Sequence, residues 1–127
     1  MSLKSPLGRV RGLGSAKHGV LHWWHQRLSA VALVPLSLWF VIALLGHVGA
    51  PHAEVVAWVA SPLVTVLLLA LIAATFYHAE LGLQVVIEDY VHGEFTKMAL
   101  LVLMKLALAF GGLLGVVAVL KISFGSA

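Results

Sequence analysis

Cysteine is absent from the 127 residues, and charged residues are scarce. The first absence excludes disulfides, zinc thiolates, iron–sulfur clusters and thiolate-ligated haem within this chain. Charged residues make up 10% of the sequence, against about a quarter in globular domains, whereas 61% is hydrophobic and the mean hydropathy is +1.05. A domain this small could not bury so much apolar surface in water. The composition therefore indicates a membrane protein and excludes a soluble enzyme.

Three apolar stretches are long enough to cross a bilayer, over about residues 28–48, 58–87 and 98–120. Each exceeds the roughly 20 residues that span a hydrocarbon core of about 30 Å. Because backbone groups in lipid must be satisfied internally and the alternation typical of barrel strands is missing, we predict one all-α domain over 1–127 with three transmembrane helices. Ser61-Pro62 has the pattern of an N-cap followed by an N1 proline, which offers another start for the second helix. Pro35 predicts a kink in the first.

Positive charge is distributed unevenly around these spans. Five of the eight Lys and Arg precede residue 28, a sixth follows the second span and Lys121 follows the third. The six are Lys4, Arg9, Arg11, Lys17, Arg27 and Lys97. The positive-inside rule then predicts a cytoplasmic N-terminus and second loop, and a C-terminus on the opposite side. The net charge of +3 is explained by topology, so membrane lipid is a predicted partner and nucleic acid is not. A cleaved signal peptide fits poorly, because the first apolar segment begins late and is too long.

One face of the second span carries His78. At 100° per residue, Gly82, Val85 and Asp89 lie within about 40° of His78, and Glu80 lies about 200° away. An intramembrane histidine with glycine one turn on suits a haem axial ligand, since the bare backbone leaves room for the macrocycle. A hydrogen-bonded packing histidine is the alternative. The remaining histidines are predicted at the membrane boundaries, namely His18, His22, His25, His92, His47 and His52. Any second axial histidine would therefore come from another chain.

Glu80 and Lys105 are predicted to lie at the same depth. Glu80 precedes Glu88 by eight residues and Lys105 follows Lys97 by eight, so each is about 12 Å below the cytoplasmic boundary. On antiparallel helices the two charges can pair and cancel each other's desolvation. The alternatives are a Lys105 side chain that snorkels to the headgroups, or a Glu80 that faces a partner subunit or a proton path.

Two motifs resemble those of a known family. The string from His78 to Tyr90, HAELGLQVVIEDY, resembles the second-helix motif of the hydrophobic membrane anchor subunit of succinate dehydrogenase, the smaller anchor of respiratory complex II. In that family a haem-ligating His, a Gly four residues on and an Asp-Tyr pair eleven and twelve residues on recur in a three-helix subunit. The segment WHQRLSAV, residues 24–31, looks like the family's first-helix start. The resemblance covers essentially the whole chain.

The resemblance implies a membrane anchor of succinate:ubiquinone oxidoreductase, multi-pass in the bacterial inner membrane and acting in the tricarboxylic acid cycle and respiratory electron transport. It implies a b-type haem held between two anchor subunits, each donating one histidine, with His78 donated here. It also implies a ubiquinone site near the cytoplasmic face, where the iron–sulfur subunit docks. A flavoprotein subunit oxidises succinate, and this chain has no Gly-rich βαβ segment for a flavin of its own.

Four further site residues come from the resemblance. Tyr90 would donate a hydrogen bond to the quinone, and Asp89 would orient a cationic partner or relay protons. Arg27 and His22 would contact the haem propionates or line the quinone pocket. By pattern alone, the alternatives are an interfacial aromatic for Tyr90, a solvated acid for Asp89 and a positive-inside anchor for Arg27. A quinol:fumarate reductase anchor and a small proton-coupled transporter or assembly protein remain as alternative functions.

Overall fold

The computed structural model describes residues 6–10, 12 and 19–125, which form five helices in chain order. They are α1 (Pro6–Val10), α2 (Gly19–Gly46), α3 (His52–Ala60), α4 (Pro62–Tyr90) and α5 (Glu94–Gly125). The long helices α2, α4 and α5 are each apolar enough to cross a membrane. The predicted all-α class with three spanning helices is therefore confirmed. Lys4, Arg11, Lys17 and His18, which entered the predictions above, lie outside the described residues, as does the side chain of Arg9.

Helix α2 begins at Gly19, nine residues before the predicted start at Leu28. The predicted span marks the charge-free stretch, whereas the helix also includes the polar turns that precede it. At 1.5 Å per residue, its 28 residues are about 42 Å long, which exceeds a hydrocarbon core of about 30 Å. The helix continues through Pro35.

The start of the second span also differs from the prediction. The segment from residue 57 to 60 belongs to the short helix α3, and α4 begins after it at Pro62. Ser61 is the N-cap residue in extended conformation, although its side chain makes no capping hydrogen bond. Proline has no N–H and is pre-organised for a first helical turn, so the chain re-enters a helix there. The predicted helix start at Ser61-Pro62 is thus confirmed, and residues 58–60 of the predicted span lie in α3.

The turn that links α2 to α3 depends on Gly49. Its φ of +81° lies in the left-handed region, where a side chain is strained. Beyond α3, Thr65 in the first turn of α4 contacts the Val59 carbonyl at 2.8 Å and the Ser123 hydroxyl at 2.9 Å. These contacts tie α3 and the end of α5 to the start of α4.

The three long helices form a single layer with α4 in the middle. In the described part of the chain α4 packs against both α2 and α5, which do not touch each other. Close approach of α4 and α5 depends on a missing side chain, because a Cβ at Gly111 would lie 2.9 Å from the Phe76 ring. Small residues allow such approach between membrane helices, where packing drives association. A one-layer arrangement leaves both broad faces of α4 accessible to ligands or partners.

An ion pair joins the α4 and α5 sides of this layer. The Lys105 ammonium donates to the Glu80 carboxylate at 2.7 Å and to the Gln84 amide oxygen at 3.3 Å. The Gln84 amide in turn donates to the Glu88 carboxylate at 2.8 Å. The predicted pairing of Glu80 with Lys105 is confirmed, and the polar chain continues along α4 toward the end of that helix.

Candidate functional site

His78 lies where α4 packs against α2. Its Nδ1 is 2.9 Å from the Ser29 hydroxyl, and its Nε2 is 3.4 Å from the Gln26 amide nitrogen. The Ser29 hydroxyl also donates to the Gln26 main-chain carbonyl at 3.0 Å. Ser29 is buried, with 7% of its surface exposed. The imidazole is therefore held at both nitrogens by side chains of one turn of α2.

A cleft of about 430 Å³ opens beside this contact, between α2 and α4. Its lining residues are Gly19, His22, Trp23, Gln26, Arg27, Gly82 and Val85. Gly82 and Val85 were predicted to share one face of α4, and both line this cleft. A Cβ added at Gly82 would lie 3.6 Å from the Gln26 amide nitrogen, so glycine keeps this wall of the cleft bare.

Two polar atoms from the cleft-lining residues are buried without a hydrogen-bond partner among the residues that the structure describes. They are Nε2 of His22 and Oε1 of Gln26. Leaving a buried polar atom unsatisfied costs about 1–3 kcal/mol, and native proteins keep few of them. Both atoms lie on the same face of α2, one turn apart. The residues that line the cleft thus carry one imidazole nitrogen and one acceptor oxygen that have no partner among the described residues.

Arg27 lies at the same cleft and is exposed. Its guanidinium carbon is 5.0 Å from the centroid of the Trp23 ring, a geometry in which the ring face attracts the cation. A guanidinium in this position can bind a carboxylate through two parallel hydrogen bonds. The structure therefore brings three of the predicted residues, His22, Arg27 and His78, to one region of the α2–α4 seam.

Asp89 and Tyr90 lie elsewhere. Both are exposed at the last turn of α4, and neither lines the cleft. Asp89 is four residues beyond Val85, about 6 Å farther along the helix axis, and Tyr90 has 78% of its surface exposed. Within the described chain, these two residues do not join His78, Arg27 and His22 in one pocket.

His25, which was predicted at the membrane boundary, lies beside α4. Its Nδ1 lies 2.8 Å from the Tyr77 hydroxyl, and Tyr77 is adjacent to His78 in the sequence. Because α2 begins at Gly19, His25 is already almost two turns inside the helix and lies level with His78. It lines a separate cleft of about 430 Å³ with Tyr77. Depth alone therefore does not show that a second axial histidine must come from another chain.

Sequence reasoning missed Gln26 and Ser29, the side chains that hold His78. A polar residue directly after Arg27-Leu28, at the start of an apolar stretch, is the signal that could have marked Ser29. Which α4 residue it faces depends on the relative height and rotation of two helices, which a single sequence does not encode. Among the described residues, no three His, Asp or Glu side chains converge to hold a metal ion.

Comparison with known proteins gives consistent matches. The family model described as "Succinate dehydrogenase/Fumarate reductase transmembrane subunit" matches residues 1–120. The succinate dehydrogenase hydrophobic membrane anchor subunit of Rickettsia bellii is 34% identical over 104 residues, which cover 81% of this chain and 82% of the relative. The subunit of the same name from Paracoccus denitrificans is 29% identical over 97 residues, covering 76% and 75%. The succinate dehydrogenase membrane anchor subunit of Reclinomonas americana is 28% identical over 92 residues, covering 70% and 77%.

Proposed function

Because this chain belongs to the family of succinate dehydrogenase/fumarate reductase transmembrane subunits, we propose that His78 ligates a b-type haem and that the cytoplasmic end of α4 contributes to the ubiquinone site. The chain is a multi-pass membrane anchor of succinate dehydrogenase in the inner membrane. Haem ligation by this chain, its contribution to a quinone site and its partner subunits go beyond the anchor role and are what we propose.

One observation carries the haem assignment: the His78 imidazole lies between α2 and α4, with its Nδ1 held by the Ser29 hydroxyl, next to a cleft that is lined by Gly82 one turn farther along α4. Imidazole nitrogen is an ordinary axial donor to haem iron. Bare backbone at Gly82 and two unsatisfied polar atoms on the opposite wall suit a flat group with polar edges. A bound b-type haem supplies one-electron transfer. In this chain, His78 would donate its Nε2 lone pair to the iron, and the side chains between α2 and α4 would exclude water and orient the macrocycle.

Arg27 and His22 are the groups that would hold the propionates. Arg27 offers a guanidinium fork beside the cleft, and a fork of this kind binds carboxylates bidentately. The buried Nε2 of His22 is the second candidate, since it needs a partner. Both lie toward the start of α2: His22 is about two turns and Arg27 about half a turn nearer the predicted cytoplasmic side than Ser29. The propionate edge would then point toward that side.

Tyr90 and Asp89 are proposed for the quinone site. Their exposure at the end of α4 suits residues completed by a neighbouring subunit rather than by this chain. Tyr90 would donate its phenolic proton in a hydrogen bond to a quinone carbonyl, and Asp89 would orient a cationic side chain of the partner or relay protons. The proposed neighbours are the iron–sulfur subunit at this end, the flavoprotein subunit beyond it and a second anchor subunit that donates the other axial histidine.

A fumarate reductase anchor is the second candidate, because the family description names both enzymes. The two differ in the direction of electron flow, which depends on the potential of the quinone. The named relatives are all anchors of succinate dehydrogenase, which favours the first candidate.

The haem proposal is tested by the variant His78→Ala in the whole complex. We expect the low-spin b-type absorption of the purified complex to be lost or strongly perturbed while the subunits still assemble, because one axial nitrogen is removed. The matched control is His92→Ala, an exposed histidine just after the end of the same helix, which should leave the spectrum intact. An unaltered low-spin spectrum in His78→Ala would refute the ligand assignment. A haem whose two axial histidines both come from this chain would refute the shared site.

A further inference from the structure

The contacts of Ser29 favour one tautomer of the His78 imidazole. A serine hydroxyl has a single proton to donate, and the Ser29 hydroxyl lies 3.0 Å from the Gln26 carbonyl, which can only accept. With that proton used, the 2.9 Å contact to His78 requires Nδ1–H to donate to the Ser29 oxygen. The neutral imidazole then keeps its lone pair on Nε2. The Gln26 amide nitrogen lies 3.4 Å from Nε2, so this side chain would have to move aside for an iron atom to bind there.

We propose that Ser29 is a positioning residue for the haem ligand: its hydroxyl accepts the Nδ1 proton of His78, fixes the tautomer that presents Nε2 to the iron and sets the plane of the ring. This inference rests on the proposed role of His78. Histidines that bind metals commonly donate their other ring N–H to an acceptor, which orients the ring and raises its basicity. Here the acceptor comes from a different helix, so the ligand geometry depends on the packing of α2 against α4.

The local structure favours a fixed rather than a mobile acceptor. Ser29 is among the few residues of this chain that are buried, and its back-bond to the carbonyl three residues earlier holds its rotamer. Breaking that arrangement would leave the Nδ1 proton without a partner in an apolar seam. Because a buried donor without an acceptor costs about 1–3 kcal/mol, the ring would rotate or change tautomer, and either change turns Nε2 away from its lone-pair role.

The experiment compares Ser29→Thr with Ser29→Val in the assembled complex. Thr and Val have the same shape, but only Thr keeps the hydroxyl, whose oxygen can also back-bond to the preceding turn. Ser29→Ala serves as the smallest hydroxyl deletion. Ser37→Ala is the matched control, since Ser37 is an exposed serine of the same helix. The readouts are haem content, the reduction potential of the haem and the g-values of the oxidised low-spin haem.

We expect Ser29→Val and Ser29→Ala to raise the potential, since a less basic imidazole stabilises ferric iron less. We also expect them to shift the largest g-value, because the ring plane is released, and to weaken haem retention by about 10- to 100-fold. Ser29→Thr and Ser37→Ala should match the wild type. Loss of haem from an assembled Val variant, with retention in the Thr variant, supports the inference equally.

The result that overturns the inference is equal behaviour of the Thr and Val variants, whether both resemble wild type or both lose haem. That result leaves the ligand assignment intact, provided that His78→Ala removes the low-spin spectrum. An unaltered spectrum in His78→Ala refutes the proposed function itself, and the Ser29 inference with it. The two failures are therefore distinguishable.

Discussion

At the scale of single residues, the Tyr90 hydroxyl is the sharpest probe of the quinone proposal. Tyr90→Phe removes one oxygen from an exposed side chain and leaves its shape unchanged. A donor to an oxygen that gains negative charge is worth about 2.7–4 kcal/mol in a pre-organised site. We therefore expect quinone reductase activity to fall by about 10²- to 10³-fold, while succinate oxidation by an artificial soluble acceptor continues.

Tyr77→Phe is the matched control for that variant. The chain has two tyrosines, and Tyr77 lies on the same helix, where its hydroxyl meets His25 about 20 Å along the axis from Tyr90. It should leave quinone reduction near the wild-type rate. Equal loss of quinone reduction and of succinate oxidation in Tyr90→Phe would mean that the variant damages assembly, and unchanged quinone reduction would remove Tyr90 from the site.

The relative positions of site residues could be predicted where they depend on the geometry of a single helix. The grouping of Gly82 and Val85 on one face of α4, with Glu80 on another, follows from the helical period, and the structure confirms it. Contacts across helices were harder to predict. The contact of His25 with Tyr77 and the contact of Ser29 with His78 were both missed, because they depend on the packing of two helices.

At the scale of helices, the number of membrane-spanning helices was predicted better than the residues at which they begin and end. Three spans follow from the length of the charge-free stretches, but α2 also takes in the polar turn around His22 and His25. The helix continues through these residues, and their side chains line clefts at the seam with α4. The break at Ser61 is a local effect of Pro62, which an average over an apolar window cannot show.

The Glu80–Lys105 pair belongs to the α4–α5 contact, and its variants test that contact. A lone charge at the centre of a span costs about 2.5–3.5 kcal/mol, and each charge here has its partner at 2.7 Å. We expect Glu80→Gln and Lys105→Met each to lower the yield and thermal stability of the assembled complex. The double variant should lower both by less than either single variant, because it leaves no unpaired charge.

The matched control is the ion pair between Glu94 and Lys97, which is longer at 3.9 Å and has its carboxylate side chain 92% exposed. Exposed pairs are worth about 0–1 kcal/mol, so Glu94→Gln, Lys97→Met and their combination should show little coupling. A Glu80/Lys105 double variant at least as damaged as the sum of its singles would show that the charges act independently, for instance on a partner subunit.

At the scale of the whole molecule, the chain is a thin layer rather than a bundle with a closed core. Only three hydrophobic residues of the described chain are buried, namely Val59, Leu68 and Leu81. Burial this slight indicates that the long helices complete their packing against lipid or other subunits, since apolar contact within the chain is limited. A haem shared with another subunit fits this arrangement, because the cleft between α2 and α4 is open on one side.

The orientation of this layer determines which side of the membrane the quinone site would face, and the absence of cysteine makes it measurable. His92 lies in the α4–α5 connection and His52 at the start of α3, and both are exposed. These connections lie at opposite ends of the layer. Because six of the seven cations outside the spans fall on the side of the N-terminus and the second connection, the positive-inside rule predicts His92 on the cytoplasmic side.

We therefore expect a membrane-impermeant maleimide to label His92→Cys in inside-out vesicles and His52→Cys in intact spheroplasts, and neither variant from the other side. The cysteine-free parent chain should stay unlabelled in both preparations, which identifies the labelled band despite cysteines in other subunits. Labelling after detergent solubilisation checks that each thiol is reactive when docked subunits no longer cover it. Reversed labelling would place Tyr90, Asp89 and Arg27 on the outer side. There they could not meet an iron–sulfur subunit docked from the cytoplasm, and the quinone proposal would fail on topology even with the haem assignment intact.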